Sequence, residues 1–376
     1  MKKLGFGLMR LPFTGEYNNV NIEAFAGLAD KFLQQGFTYF DTAYPYHGGN
    51  SETAFREAVA RRHPRSAYLI ANKMPMFIIQ QQEQLPKIFD EQLKRCGVEY
   101  FDYYMLHNLN RVTYDVTQKT DAFEFIKQKK REGKIVRIGL SFHDNAELLD
   151  RILTEHPDVE FVQLQINYLD IDDITIESRK CYDVALKHGK DVIVMEPIKG
   201  GILAKVPDEA HALLKSHNPK ASVVSWALRY AASFEKVMMV LSGMNSEEQL
   251  ADNIGSMNDF TPLDEDEQAV ILKVSEIIKA GITIPCTECR YCVDKCSQHI
   301  AIPEYFSIYN NLKRSEGKQL LLALAYYGNF IKDFGKASEC TQCGICEEQC
   351  PQHIPIHEHL REIAAALENN GASISV

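Results

Sequence analysis

Four side chains able to move a proton sit at the ends of three separate apolar runs: Asp41 and Tyr46 in FDTAYPYHGGNSE, Lys73 in ANKM and His107 in YYMLHN. A free phenol, with a pKa of about 10, is a reluctant acid at neutral pH, and an adjacent ammonium would lower that value by favouring the phenolate. Tyr46 beside Lys73 could therefore deliver a proton to a carbonyl oxygen as hydride reaches its carbon. Asp41 could hold the Lys73 charge in place, and His107 could hydrogen-bond the substrate oxygen and orient it. Each has a plainer reading when taken singly. Asp41 could cap a helix, Lys73 could be solvated and His107 could be a satisfied loop histidine. Only their convergence would make a site.

The cysteines carry the strongest signal. Cys286-x2-Cys289-x2-Cys292-x3-Cys296 is followed by Cys340-x2-Cys343-x2-Cys346-x3-Cys350-Pro351. Thiolates two residues apart can wrap one cubane, while the fourth cysteine, after a three-residue gap, ligates the other cluster in two-cluster ferredoxins. This assigns Cys286, Cys289, Cys292 and Cys350 to one [4Fe-4S] centre, and Cys340, Cys343, Cys346 and Cys296 to its partner. Zinc is the rival, because CxxC pairs also suit a tetrahedral ion, but four cysteines per run in this order fit it less well. Ser297 stands where a proline is usual. Cys96 and Cys181 fall in helical stretches and read as buried small hydrophobes.

Short apolar runs alternating with amphipathic stretches must position these groups. The runs are Leu4 to Leu8, Thr38 to Phe40, Tyr68 to Ala71, Tyr100 to Leu106, Val136 to Leu140, Phe161 to Ile166, Asp191 to Met195 and Val237 to Leu241. Helical periodicity covers Ile22 to Gln35, Glu52 to Arg61, Glu83 to Cys96, Ala122 to Glu132, Ala146 to Glu155, Ile176 to His188 and Val223 to Ala232. Eight strand-helix repeats predict an α/β fold, a closed (β/α)8 TIM barrel, since an open doubly wound sheet rarely counts to eight so evenly. Polar residues recur where the runs end, as a site on one barrel face requires: Met9-Arg10, Asp41, Asn72-Lys73, His107-Asn108, Ser141, Gln165 to Asn167, Glu196 and Ser242.

Two further helices, Ser246 to Ile254 and Asp264 to Lys279, would cover the barrel, and Gly281 to Pro285 reads as an extended connector. The expected division is thus a barrel over 1–280 and a small cluster domain over 281–376. The long insert between the cysteine runs, with Pro303 to Asn311 and Lys318 to Phe330, has helical periodicity and little strand character, as has His359 to Glu368. The module should therefore be a mainly α-helical two-cluster ferredoxin-like domain. The tail from Gly371 to Val376 should fray.

Composition narrows the partners. A formal charge of −10 argues against a nucleic-acid backbone as partner. Gly5, Gly7 and Arg10 break the apolar start that a signal peptide needs, and no run approaches the roughly 18 residues of a membrane span. The expected location is the cytoplasm, without a membrane or nucleic-acid partner.

With the tetrad quoted above, the sequence resembles the aldo-keto reductase superfamily over roughly residues 1 to 280, and specifically its subgroup with a C-terminal 4Fe-4S dicluster domain. The resemblance implies an NAD(P)-dependent oxidoreductase acting on a small carbonyl or alcohol. NADP or NAD would bind across the C-terminal barrel face without a Rossmann fingerprint. GKIVRIGLS looks like the family's fifth strand, whose Ser141 would touch the nicotinamide carboxamide together with Gln165 of VQLQINY. Phe142-His143 follows Ser141 where the family often has Asn. Met195 falls at the aromatic stacking position, and Gln249 where a basic residue often meets the 2′-phosphate. Asp252 and Asn253 sit at the adenine contacts, with Gly7, Met9, Pro197, Ser242, Gly243 and Asn245 as further cofactor-binding residues. A nicotinamide surrenders two electrons together and a cluster passes one, so a carrier able to divide the pair, such as a flavin, would be needed to connect them; no flavin motif is visible. In a conventional reductase the clusters would be structural or sense redox state, and two other functions stay open. The chain could be an electron-transfer subunit linking a barrel-bound cofactor to a ferredoxin-like redox protein, or a non-catalytic cluster-bearing binding module.

Overall fold

Each of the eight apolar runs forms a strand, and parallel pairing of neighbours closes the set in sequence order: β1 Leu4–Gly7, β2 Tyr39–Asp41, β3 Leu69–Met74, β4 Phe101–Leu109, β5 Ile135–Phe142, β6 Phe161–Gln165, β7 Asp191–Met195 and β8 Val237–Ser242. The coordinates are a computed structural model, described over residues 2–280, 283–293, 296–350 and 352–368. Gly281 and Ile282 of the expected connector, Pro351, and the tail from Gly371 to Val376 lie outside the described residues.

The pleat sends alternate side chains of each strand inward. Tyr39, Ala71, Tyr103, Met105, Phe161, Ile193, Met239 and Leu241 pack together there as the barrel's interior. Two residues beyond Tyr39, Ala71 and Met105 come Asp41, Lys73 and His107, so a period of two delivers all three to the C-terminal mouth. Gly139 on β5 is required by this filling, because a Cβ there would come within 2.5 Å of the Phe161 ring. A larger apolar core lies between strands and surrounding helices, with Phe6, Phe32, Phe40, Tyr104 and Leu140 fully buried in it.

The helical stretches form as expected, with Ala146–Glu155 and Val223–Ala232 at their predicted limits. Glu52 to Arg61 becomes an α-turn over Ser51–Phe55 followed by a π-turn over Arg56–Ala60. Two helices escaped the periodicity. Arg111–Lys119 is rich in β-branched residues of low helix propensity and buries Thr113, Tyr114 and Thr117, mostly polar side chains. Asp208–His217 buries only Ala210 and Leu214.

After the helix Glu265–Ala280 the chain builds a second core from Ile284, Ile300, Tyr305, Phe306, Tyr309, Tyr327, Ile356, Leu360 and Ile363. The helices Ile302–Arg314, Leu320–Phe330 and Ile356–Leu367 supply most of it. Among its described residues the only β-pairing is an isolated bridge between Ile300 and Gly335. This helical module sits on loops at the C-terminal ends of four successive strands. Arg111 pairs with Asp333, Asn329 Nδ2 donates to His143 O at 3.2 Å, and Ser307 Oγ and Asn311 Nδ2 donate to Asp173 Oδ2 at 2.8 and 3.0 Å. Gln319 Nε2 reaches Glu196 Oε2 at 3.5 Å, and Ile176 enters the module's core.

Candidate active site

Asp41, Tyr46, Lys73 and His107 converge at the barrel mouth. Lys73 Nζ forms a buried ion pair with Asp41, donates to Thr42 O at 2.8 Å and lies 3.4 Å from the Tyr46 phenol oxygen. Gln163 Nε2, two residues before Gln165 on the inner face of β6, donates to the other Asp41 oxygen at 3.2 Å. The imidazole of His107 meets the Tyr46 ring edge-on, with centroids 6.1 Å apart, and Phe77 closes its other side at 5.6 Å. His107 Nδ1 is buried without a partner, which leaves Nε2 as the ring nitrogen able to meet a substrate.

The charges are set by burial against pairing. Burial draws the Lys73 pKa down, but Asp41 and Tyr46 more than offset it, so the group stays an ammonium. For Tyr46 burial wins. The phenol is held above its ordinary range although Lys73 pulls it down, so the expected lowering of its pKa is not produced by Lys73 alone. Burial, then the Lys73 charge and His143, keep His107 well below 6.5 and hence neutral.

The turn Tyr46–Gly49 that carries the phenol is pinned by a residue the sequence reading passed over. His47 is fully buried, its Nε2 accepts from Leu11 N at 3.0 Å, and its Nδ1 donates to Tyr17 O at 2.7 Å. The Tyr17 ring stacks on the imidazole at 4.3 Å. Its histidine-glycine-glycine sequence, which accommodates the left-handed backbone of φ +52° at His47, is the signal that could have found it.

A cavity of about 320 Å³ opens beside the tetrad, reaching Asp41 and Tyr46 at one end. Gly7, Met9, Met195, Pro197, Ser242, Gly243, Asn245, Gln249, Asp252 and Asn253 all line it. Asn253 Nδ2 donates to Ser242 Oγ at 2.7 Å, and Gln249 Oε1 accepts from Asn245 N at 2.9 Å, which fixes the loop after β8. Ser222 Oγ occupies an oxygen of Asp252 at 2.7 Å. Ser141 and Gln165 do not line this cavity. Ser141 Oγ accepts from Asn108 N at 2.7 Å, and Gln165 Nε2 donates to Asp170 at 2.9 Å while its Oε1 is buried and unpartnered. Arg10 and Glu196, which the sequence placed at the ends of the first and seventh strands, also line the cavity.

The cysteines fall into two hollows. Cys286, Cys289, Cys292 and Cys350 line one, and Cys296, Cys340, Cys343 and Cys346 line the other. Among the described residues no three such side chains meet at a single-ion point, so the thiols ring a space rather than converge. Burial first, then neighbouring cysteines, push Cys292 up to about 12 and Cys346 up to about 11. A metal or cluster takes such sulfurs as thiolates, and the all-cysteine donor set fits that occupant. Cys96 and Cys181 are buried on helices, as expected.

Among the described residues no helix is long and apolar enough to cross a membrane. Residues 3–276 match the model of the aldo/keto reductase family, and residues 285–355 that of a 4Fe-4S dicluster domain. An NADH-specific methylglyoxal reductase of Escherichia coli is 22% identical over 59% of this chain and 79% of its own. An aldo-keto reductase from Bacillus halodurans in its holo form superposes with a TM-score of 0.60 at 23% identity, over 72% of this chain and 91% of that one. Another from Klebsiella pneumoniae, in complex with NADP and acetate, gives 0.57 at 17% over 73% and 91%. The chain thus belongs to the aldo/keto reductase family, as an NAD(P)-dependent oxidoreductase with a C-terminal 4Fe-4S domain.

Proposed function

We propose that the protein interconverts a small carbonyl compound and its alcohol at the Tyr46 end of the cavity, with NADH or NADPH extended along the rest. The observation that carries this is the Lys73 ammonium, bound to Asp41 and 3.4 Å from the Tyr46 phenol, at the mouth of that cavity. The cavity suits a dinucleotide because its wall is mostly apolar or small near Gly7 and Gly243 and offers Ser242, Asn245, Gln249 and Asn253 further along. Bound there, a reduced nicotinamide supplies hydride to the carbonyl carbon. Tyr46 gives its proton to the oxygen, and Lys73, held by Asp41, stabilises the phenolate left behind. His107, neutral, donates from Nε2 and aligns the oxygen. Ser141, Gln165 and Met195 stand on strands β5 to β7 as candidates for the nicotinamide end, and Asp252 and Asn253 for the adenine end.

Two clusters would be held crosswise, one by Cys286, Cys289, Cys292 and Cys350 and the other by Cys340, Cys343, Cys346 and Cys296. A ring of thiols suits a cubane, each iron taking one, better than a zinc whose four ligands lie about 2.3 Å from one point. The division between the modules falls at Ala280. One observation favours a role in electron exchange with a redox protein: Cys289 and Cys343 are exposed, so an edge of each centre would reach the surface. A carrier able to divide an electron pair, such as a flavin, would be needed to connect such traffic to the barrel. The test is anaerobic titration of NADH and NADPH against the protein, followed by carbonyl reduction by wild type and Tyr46→Phe. Undiminished turnover in the variant would remove the reading.

A further inference from the structure

The loop after β7 is strained, although Lys199 N donates to Glu196 O at 2.9 Å and Gly201 N to Ile198 O at 3.0 Å within it. Within six residues Glu196, Lys199, Gly200 and Gly201 all have left-handed backbones, with φ of +55°, +47°, +63° and +99°. For the two that are not glycine this backbone is strained, so the conformation persists only where neighbours impose it. The same loop lines the cavity through Glu196, Pro197, Ile198, Gly200 and Gly201.

Several constraints come from outside the loop, among them Asn167 Nδ2, which donates to Glu196 O at 3.1 Å. Below, Lys199 forms a fully buried ion pair with Asp170, which Gln165 and Asn167 also hold at 2.9 Å. Above, the constraint comes from the cluster module. Gln319, at the start of the helix Leu320–Phe330, donates to Glu196 Oε2 at 3.5 Å. A Cβ built on Gly200 would stand 3.0 Å from Gln319 Nε2, 3.1 Å from Arg10 Nη2 and 3.4 Å from Glu196 Oε2. An amide from the module, a cation from the end of β1 and a carboxylate from the end of β7 therefore meet over one glycine at the cavity wall. Asn329, near the other end of the same helix, donates to His143 O, so the helix runs from the β7 loop to the β5 loop across the mouth.

We propose that the cluster module completes the nucleotide site, with Gln319 as a positioning residue that holds Glu196, and through it the strained loop, against the nucleotide. The inference rests on the nucleotide reading of the cavity. It makes the second domain a clasp on the cofactor irrespective of any electron traffic.

Nucleotide affinity tests this directly. NADH and NADPH are titrated by fluorescence against wild type, Gln319→Ala, Gln319→Asn and Glu196→Ala, each first shown to carry wild-type iron and sulfide. Loss of one such hydrogen bond should weaken nucleotide binding by about 3- to 10-fold in Gln319→Ala. The loss should appear in the Kd and KM for nucleotide rather than in the KM for the carbonyl, and adding Gln319→Ala to Glu196→Ala should cost no further affinity, because the acceptor of the Gln319 amide is already gone. Gln319→Asn, whose amide is drawn back by one methylene, should not restore affinity. Equal binding by wild type and Gln319→Ala would overturn this inference alone. A wild type that binds neither nucleotide would remove the nucleotide reading and this inference with it.

Discussion

The ammonium of Lys73 is shared between the carboxylate of Asp41, with which it is ion-paired, and the phenol of Tyr46, 3.4 Å away. Because burial, and after it the charges of Asp41 and Glu196, raise the phenol's pKa, the shared cation is what opposes that rise and makes a phenolate tolerable during proton transfer. Tyr46→Phe removes the proton and little else. It should lower kcat by about 10²- to 10⁴-fold and leave nucleotide affinity unchanged, as single-turnover kinetics and a binding titration would report.

Removing the cation has a second consequence. The Lys73 and Asp41 side chains are 0% and 3% exposed, so Lys73→Met strands a carboxylate inside the barrel. The expected loss is about 3–5 kcal/mol of stability, along with activity. The double variant Asp41→Asn, Lys73→Met should recover much of the stability and none of the activity. Chemical denaturation of the wild type and the two variants separates the two roles, since a purely catalytic Lys73 would show no recovery to measure.

How much of this was legible beforehand follows from what each signal depends on. The strands and the inward placement of Asp41, Lys73 and His107 follow from a period of two and were readable residue by residue. The two missed helices bury few apolar side chains, so periodicity had little to act on. His47 and the meeting of Arg10, Glu196 and Gln319 depend on loops folding back through left-handed turns, and no local pattern encodes which distant group such a loop meets. The cysteine runs were legible because cluster chemistry fixes ligand spacing.

His47, His107 and His143 are each held below 6.5 by burial, His143 at about 4. A histidine whose folded pKa is depressed contributes stability above its unfolded pKa and loses it as pH falls through the folded value. Stability should therefore decline from about pH 6.5 towards pH 4, as the unfolded chain takes up protons that the folded one refuses. Protonating His47 also destroys the acceptor for Leu11 N, so the turn carrying Tyr46 should loosen first. His47→Gln should flatten part of the decline. Thermal melts across this range check it, and an unchanged slope in that variant would assign the loss to other groups.

The crosswise ligand sets make a prediction that sequence order alone would invert. Cys350 belongs to the second run but lines the hollow of the first, and Cys296 does the reverse. If occupancy follows the hollows, Cys350→Ala should damage the same centre as Cys289→Ala, and Cys296→Ala the same centre as Cys343→Ala. Wild type purified anaerobically should carry about eight iron atoms, and each variant about four when the damaged centre is lost outright. Iron content does not tell which centre is gone, but the spectrum of the survivor does. Low-temperature paramagnetic spectra of reduced Cys350→Ala should match those of Cys289→Ala and differ from those of Cys343→Ala. A match between Cys350→Ala and Cys343→Ala would mean that each run wraps its own cluster, and that the two hollows misreport which sulfurs share an occupant.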